Sequence, residues 1–298
     1  MDDIGYIMYI IIIFMLFNNI NIIDISYRKM LYLKYNVYVD GLGAQYQRII
    51  SILALAKKYD CQYIHESIKT FEHISNENTE YYELIEEYFQ IYKFTANISE
   101  ITFHNIEFLK GNITSEHMDY YKEISKNINV LLILDHPYNI FDKDPNEYDI
   151  IMPLLREIKL SLYLPEYNES NKNIAIHIRR GDVSPYSNNN RFVELSYYQN
   201  IINKFADKYK NGTFFIFTEI SNNNKEEFEN FIIKNKNNNI NIKLMADIDV
   251  LMTLEYLIKA DVLVMSKSSF SYIAGLYNNN EVYYMDFWHS KLDRWNSI

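Results

Sequence analysis

From position 36 onward, short apolar runs bounded by Gly, Asn or Asp alternate with longer stretches whose apolar residues recur at helical spacing. The first pattern predicts buried strands and the second predicts helices packed by one face. In the first half this gives a strand over 37–39 and a helix over 44–59, with Ile49, Ile50, Leu53, Ala54 and Ala56 on its apolar face. A strand over 62–65, a helix over 80–92, a fully buried strand over 130–135 and a helix over 148–162 follow. Residues 164–172 are polar, carry a proline and read as a linker. Beyond it the pattern is more regular, with strands over 174–178, 213–218, 240–244, 261–265 and 281–285. Ser196, Asn224, Asp249 and Ser268 stand where helices ending at Tyr209, Asn235, Lys259 and Leu276 would be capped. Asparagine triplets at 188–190, 222–224, 237–239 and 278–280 fall at element boundaries, as loop residues should.

Strands alternating with helices along the whole chain predict an α/β protein. Right-handed crossovers would make the second half an open parallel sheet, which binds ligands at the carboxyl ends of its strands. The expected division is an apolar N-terminal segment or membrane anchor over 1–26, one α/β domain over 27–165 and a second over 166–298.

Composition narrows this picture. With 298 residues, 48% of them hydrophobic, the chain can bury a sizeable core. A net charge of −10 excludes a broad nucleic-acid-binding surface, so any phosphate site has to be a local basic pocket. The single cysteine, Cys61, excludes an intrachain disulfide framework and a cysteine-based structural zinc site. Residues 4–23 carry no charge and approach the roughly 20 apolar residues that span a bilayer. Asn18, Asn19 and Asn21 interrupt that run, and a buried first element is the other reading. Arg28, Lys29 and Lys34 follow it, so an anchor would leave the domain in the cytosol; the chain reads as membrane-associated or cytoplasmic.

Candidate chemistry gathers at predicted strand ends. The strand over 174–178 delivers Arg179, Arg180, Gly181 and Asp182 onto the next loop. Guanidinium groups keep their charge and present a planar fork of donors, which suits phosphate oxygens; the alternative is an Arg pair salt-bridged to Asp182 at the surface. A second strand end carries Thr218, Glu219 and Ser221. At a third, Lys267, Ser268 and Ser269 precede a helix whose first N–H groups could receive phosphate, or simply be capped by serine. Two donor-rich ends on one sheet edge imply a diphosphate site. In the first half, Asp40-Gly41-Leu42-Gly43 is a tight turn opening a helix, a place for anions or sugar hydroxyls, with Gln45 and Arg48 as the polar side chains that could reach a ligand. His65, His73, His104, His117 and His136 are scattered without metal-ligand spacing.

His177-Ile178-Arg179-Arg180-Gly181-Asp182 resembles the His-x-Arg-Arg-Gly-Asp motif of the α-1,2-, α-1,6- and protein O-fucosyltransferase superfamily. Gly41 to Gln45 resembles that family's N-terminal glycine-loop motif, and the stretch from Ala260-Asp261 through Ser268-Ser269-Phe270-Ser271 resembles its C-terminal motif, in the expected order. The resemblance implies a GT-B-like fold, with two Rossmann-like domains facing a central cleft, the first taking the acceptor and the second the nucleotide sugar. It implies an inverting transferase that moves fucose from GDP-fucose to a hydroxyl of a glycan, without a metal or further cofactor. His177 would hold the GDP end of the donor. Arg180, or failing it Arg179, would stabilise the leaving diphosphate, because negative charge develops there as the sugar departs. Lys267, Ser268 and Ser269 would add phosphate contacts, Gly41, Gly43 and Gln45 would line the donor site, and Asp247 or Asp249 would meet guanine unless they cap a helix. Asp247-Ile248-Asp249 and Asp142-Lys143-Asp144 also match the Asp-x-Asp pattern of metal-dependent GT-A enzymes, a weak signal in an acidic chain. Glu66, Asp135 and Glu219 are the candidates for a general base. The alternative function is a non-catalytic glycan- or nucleotide-binding protein that keeps the fold.

Overall fold

The computed structural model describes residues 29–72, 79–99 and 101–298. The first sheet holds β1 (Leu31–Tyr35), β2 (Gln62–Ile64), β3 (Asn105–Asn112) and β4 (Val130–His136), all parallel in the order β2-β1-β4-β3. Strand β1 lies upstream of the expected 37–39, because Leu31, Leu33 and Tyr35 are the residues that alternate into the core. Residues 37–39 leave the sheet at its carboxyl end, where Val39 is 63% exposed. Helix α1 (Leu42–Lys58) follows directly and is buried along nearly its whole length.

Helix α2 (Thr79–Phe89) stops short of the expected Tyr92, since Gln90 turns left-handed with φ 53° and a 3-10 turn over Ile91–Phe94 takes over. Neither β3 nor α3 (Ser115–Ile124) was legible as an element. Strand β3 is an edge strand whose Ile106 and Phe108 face outward, and α3 is mostly polar, begun by a capping box between Thr114 and His117. The helix expected over 148–162 reduces to α4 (Met152–Ile158) after a 3-10 turn over Pro145–Ile150.

The second sheet is also fully parallel, with β5 (Asn173–His177), β6 (Thr213–Thr218), β7 (Asn241–Ala246), β8 (Val262–Val264), β9 (Glu281–Tyr284) and β10 (Asn296–Ser297). Its order is β10-β9-β8-β5-β6-β7, so β5 lies near the middle. Every residue of β5 and β6 is buried, as expected for strands covered on both faces. Between the strands run α5 (Leu195–Lys208), α6 (Lys225–Asn237), α7 (Val250–Lys259) and α8 (Ser269–Tyr277).

Two of the four expected caps form as such. Asp249 accepts from the N–H groups of Leu251 and Met252, and Ser268 accepts from Phe270 N–H. Ser196 instead lies inside α5, which starts at Leu195 behind Glu194, and Asn224 turns its Oδ1 to Ser221 N–H.

The two halves share one core. Leu33, Tyr46 and Phe89 from the first belong to the same buried cluster as Leu263, Tyr272 and Trp295 from the second. Tyr46 stacks on Phe89 at 3.8 Å, and Phe89 meets Tyr277 of α8 at 6.0 Å. The architecture is thus α/β with two parallel sheets whose strand ends meet at a central cleft, the GT-B-like arrangement. Among the described residues no helix is long and apolar enough to cross a membrane; the segment 4–23, with its membrane reading, lies outside them.

Candidate active site

A cleft of about 880 Å3 opens between the halves. Gly41, Gly43, His177, Arg179, Arg180, Asp247, Asp249, Ser268 and Ser269 all line it, and so do Arg48 and Glu219. Gln45, Lys267, Glu66 and Asp135 do not take part in its wall.

Strand β5 ends in His177, 8% exposed, whose Nδ1 shares a 2.8 Å hydrogen bond with Ser266 Oγ and whose ring packs on Phe270. Burial, and then the Arg179 charge, push its pKa down to about 3, so the imidazole stays neutral at ordinary pH. The next two side chains diverge. Arg179 pairs with Asp182 at 2.5 Å inside the same loop. Arg180 is 3% exposed, donates to the carbonyls of Arg179 (2.9 Å) and Val193 (3.0 Å), and stacks on Phe192 at 4.3 Å. Its guanidinium therefore ties the loop to the segment before α5. Gly181 allows the turn that follows: its φ is +81°, and a Cβ there would lie 1.7 Å from Glu219 Oε2.

On the opposite wall, Gly41 N–H donates to Asp40 Oδ1 at 2.7 Å, and Asp40 Oδ2 pairs with Arg48 at 2.8 Å. Tyr38 and Tyr138 sandwich the Arg48 guanidinium at 4.6 and 5.4 Å. Gln45 is wholly buried and its Nε2 donates to the carbonyls of Asp40 and Thr70, so it clasps the glycine loop from behind. Gly43 packs against the first turn of α8, where a Cβ would fall 2.3 Å from Phe270 N. The amino ends of α1 and α8 are thereby brought together at one cleft.

Both carboxylate oxygens of Asp249 are engaged, Oδ1 in the α7 cap and Oδ2 by Tyr81 OH at 2.6 Å. Asp247 sits at φ 53° between the ends of β6 and β7; its Oδ1 accepts from Ile220 N–H at 2.9 Å and its N–H donates to Thr218 O. Lys267 Nζ reaches the carbonyl of Asn190 at 3.4 Å. Among the described residues no three His, Cys, Asp or Glu side chains gather as a metal-binding group.

Several cleft residues lay outside the sequence expectation. His289, Trp288 and Tyr138 line the wall beside Ser269. His289 Nδ1 lies 3.0 Å from Asp142 Oδ1, and its Nε2 lies 3.5 Å from Ser269 Oγ. The aromatic run Phe287-Trp288-His289 just past the last strand was the available signal, but its partner is 147 positions away. Of the other histidines, His65 pairs with Glu86 at 2.7 Å, His117 completes the α3 cap, and His136 meets Tyr38 OH at 3.2 Å.

No family model matches the chain, and no curated protein matches it. Among solved structures it is similar to POFUT1 in complex with GDP-fucose, with 12% identity and a TM-score of 0.48 over 91% of this chain and 98% of that one. Fucosyltransferase NodZ from Bradyrhizobium gives 11% identity and a TM-score of 0.46 over 84% and 94%. The E. coli heptosyltransferase WaaC with ADP-2-deoxy-2-fluoro heptose gives 8% identity and a TM-score of 0.42 over 90% and 93%. These likenesses concern the course of the chain alone.

Proposed function

We propose that the protein is an inverting glycosyltransferase that moves fucose from GDP-fucose to a hydroxyl of a glycan acceptor. The observation that carries this reading is the convergence on one cleft of Arg179 and the amino ends of α1 and α8. The start of α1 has no side-chain cap, that of α8 has only Phe270 N–H capped by Ser268, and both carry a partial positive charge, so with one guanidinium they form a preorganised seat for a diphosphate. The motif order Gly41–Gln45, His177–Asp182, Ser268–Ser271 supports GDP-fucose as the donor.

In this scheme Arg179 takes the leaving-group role, because its side chain is 16% exposed and its pairing with Asp182 leaves further N–H donors, whereas Arg180 is 3% exposed and holds two carbonyls and Phe192. As the bond from sugar to β-phosphate lengthens, the sugar gains oxocarbenium character and the phosphate gains charge. Arg179, Ser268, Ser269 and the helix N–H groups stabilise that charge without reorganising, and no metal is required. Neutral His177 is a hydrogen-bond partner for the nucleotide. Asp247 is the acid for guanine, since Asp249 is occupied by the α7 cap and Tyr81.

Thermal unfolding tests the donor. GDP is expected to raise Tm more than UDP or ADP, and Arg179→Ala to abolish both the shift and GDP-fucose turnover. Equal shifts from all three nucleotides would overturn the donor assignment. A guanine-selective shift with neither hydrolysis nor transfer on a glycan array would mark a non-catalytic nucleotide-binding protein instead.

A further inference from the structure

We infer that His289, oriented by Asp142, is the general base that removes the proton from the acceptor hydroxyl; this rests on reading the cleft as a glycosyl-transfer site. The strand order sets the positions. The Arg179 loop and α8 follow β5 and β8, while Thr218 and Asp247 follow β6 and β7 on one side of that pair. Strand β9, which leads to Trp288 and His289, lies on the other side. A donor with its diphosphate over β5 and β8 and its nucleoside toward Asp247 therefore places its sugar toward His289. The 3.5 Å separation of Nε2 from Ser269 Oγ puts the imidazole one side chain from the diphosphate seat.

The imidazole is also held as a base must be. Asp142 accepts from Nδ1–H at 3.0 Å, which fixes the tautomer that leaves the Nε2 lone pair facing Ser269 Oγ in the cleft wall. Tyr138, Tyr272 and Phe287 pack around the ring at 4.9, 5.5 and 5.3 Å, and the residue is only 2% exposed, so bulk water does not compete for Nε2. Ser290 Oγ donates to the Asp142 carbonyl at 2.6 Å, binding the two halves at this point. Trp288, 43% exposed in the same wall next to the base, carries the Arg191 guanidinium over its ring at 4.7 Å.

The carboxylates suggested by sequence are placed less well. Glu66 pairs with Lys34 at 2.6 Å and Asp135 accepts from Asn36 at 2.6 Å, both away from the cleft wall, and Glu219 lines the cleft against Gly181 of the arginine loop.

In the step, the acceptor oxygen bonds to the anomeric carbon as its proton passes to His289 Nε2. The bond from that carbon to the β-phosphate oxygen breaks with its electron pair leaving on GDP, and the imidazolium later releases the proton to solvent. The test uses the full chain with GDP-fucose, first with water as acceptor and then with any glycan accepted on an array. His289→Gln is expected to keep the GDP-induced Tm shift and the donor KM, to lose roughly 10² to 10⁴ in kcat, and to lose the acid limb of the pH profile. Asp142→Asn is expected to lose less and to alter the same pH profile, because the partner that orients the imidazole is changed. The other ionisable groups near the ring are the phenols of Tyr138, Tyr272 and Tyr284, Asp286 behind Tyr284, the Arg48–Asp40 pair behind Tyr138, and Arg191 stacked on Trp288.

A His289→Gln enzyme as fast as the wild type, with its acid limb intact, would overturn the inference while leaving the transferase reading standing. Should that variant lose the GDP shift as well, Asp142→Asn decides, and an unchanged profile there overturns the inference. A wild-type protein inert toward GDP-fucose with every acceptor would overturn both.

Discussion

At the end of β5 two adjacent guanidinium groups do different physical jobs. Arg180 forks between two backbone carbonyls and lies flat on Phe192, contacts that depend on a planar group with several fixed donors. A lysine ammonium cannot span both carbonyls while covering the ring. Arg180→Lys is therefore expected to lower stability by about 1–3 kcal/mol, read by urea unfolding. Arg179→Lys should stay within about 0.5 kcal/mol of wild type by the same measurement and lose turnover instead. Equal stability losses in the two variants would contradict this division. The paired arginines were visible in the sequence as a charge motif, but nothing local distinguishes them. The distinction comes from Val193 and Phe192, which the fold brings under the loop.

Among the elements, the contact between α1 and α8 governs the site. Gly43 permits it, since any side chain at that position would meet backbone atoms of Ser269 and Phe270 at 2.3–2.7 Å, and backbone cannot rotate out of the way as a side chain can. Gly43→Ala is expected to cost roughly 1–3 kcal/mol from overpacking. It should also reduce the GDP-induced Tm shift, because the two helix starts are forced apart. A variant with wild-type stability and GDP response would show that the close approach is not needed. Strong apolar patterning made α1, β4, β5 and β6 legible, as nearly all their apolar residues are buried. Edge strand β3 and polar α3 were not, because elements half-covered by solvent carry little hydrophobic signal. The displaced first strand has a related cause: residues 37–39 are apolar enough to mimic a strand, yet they lie past the end of β1, where the Tyr38 ring stacks on Arg48.

Across the whole molecule, the single core running from Leu33 and Tyr46 to Tyr272 and Trp295 couples the two sheets. A buried ion pair between Lys159 and Glu255 crosses the same boundary. Unfolding one half would expose the apolar face of α8 and take Lys159 from Glu255, leaving it Lys259 alone, so calorimetry is expected to show one cooperative transition. Two resolved transitions would mean that the halves are energetically separate. What the sequence by itself determined is the α/β alternation, the parallel second sheet and the three polar strand ends, since periodicity and turn chemistry are local properties of the chain. Only the tertiary structure decided which groups each arginine holds, that Gln45 and Asp249 hold backbone, and that His289 meets Asp142. Each of those depends on a partner far away in sequence, and residue type alone carries no information about which distant group will fill a side chain's hydrogen-bonding capacity.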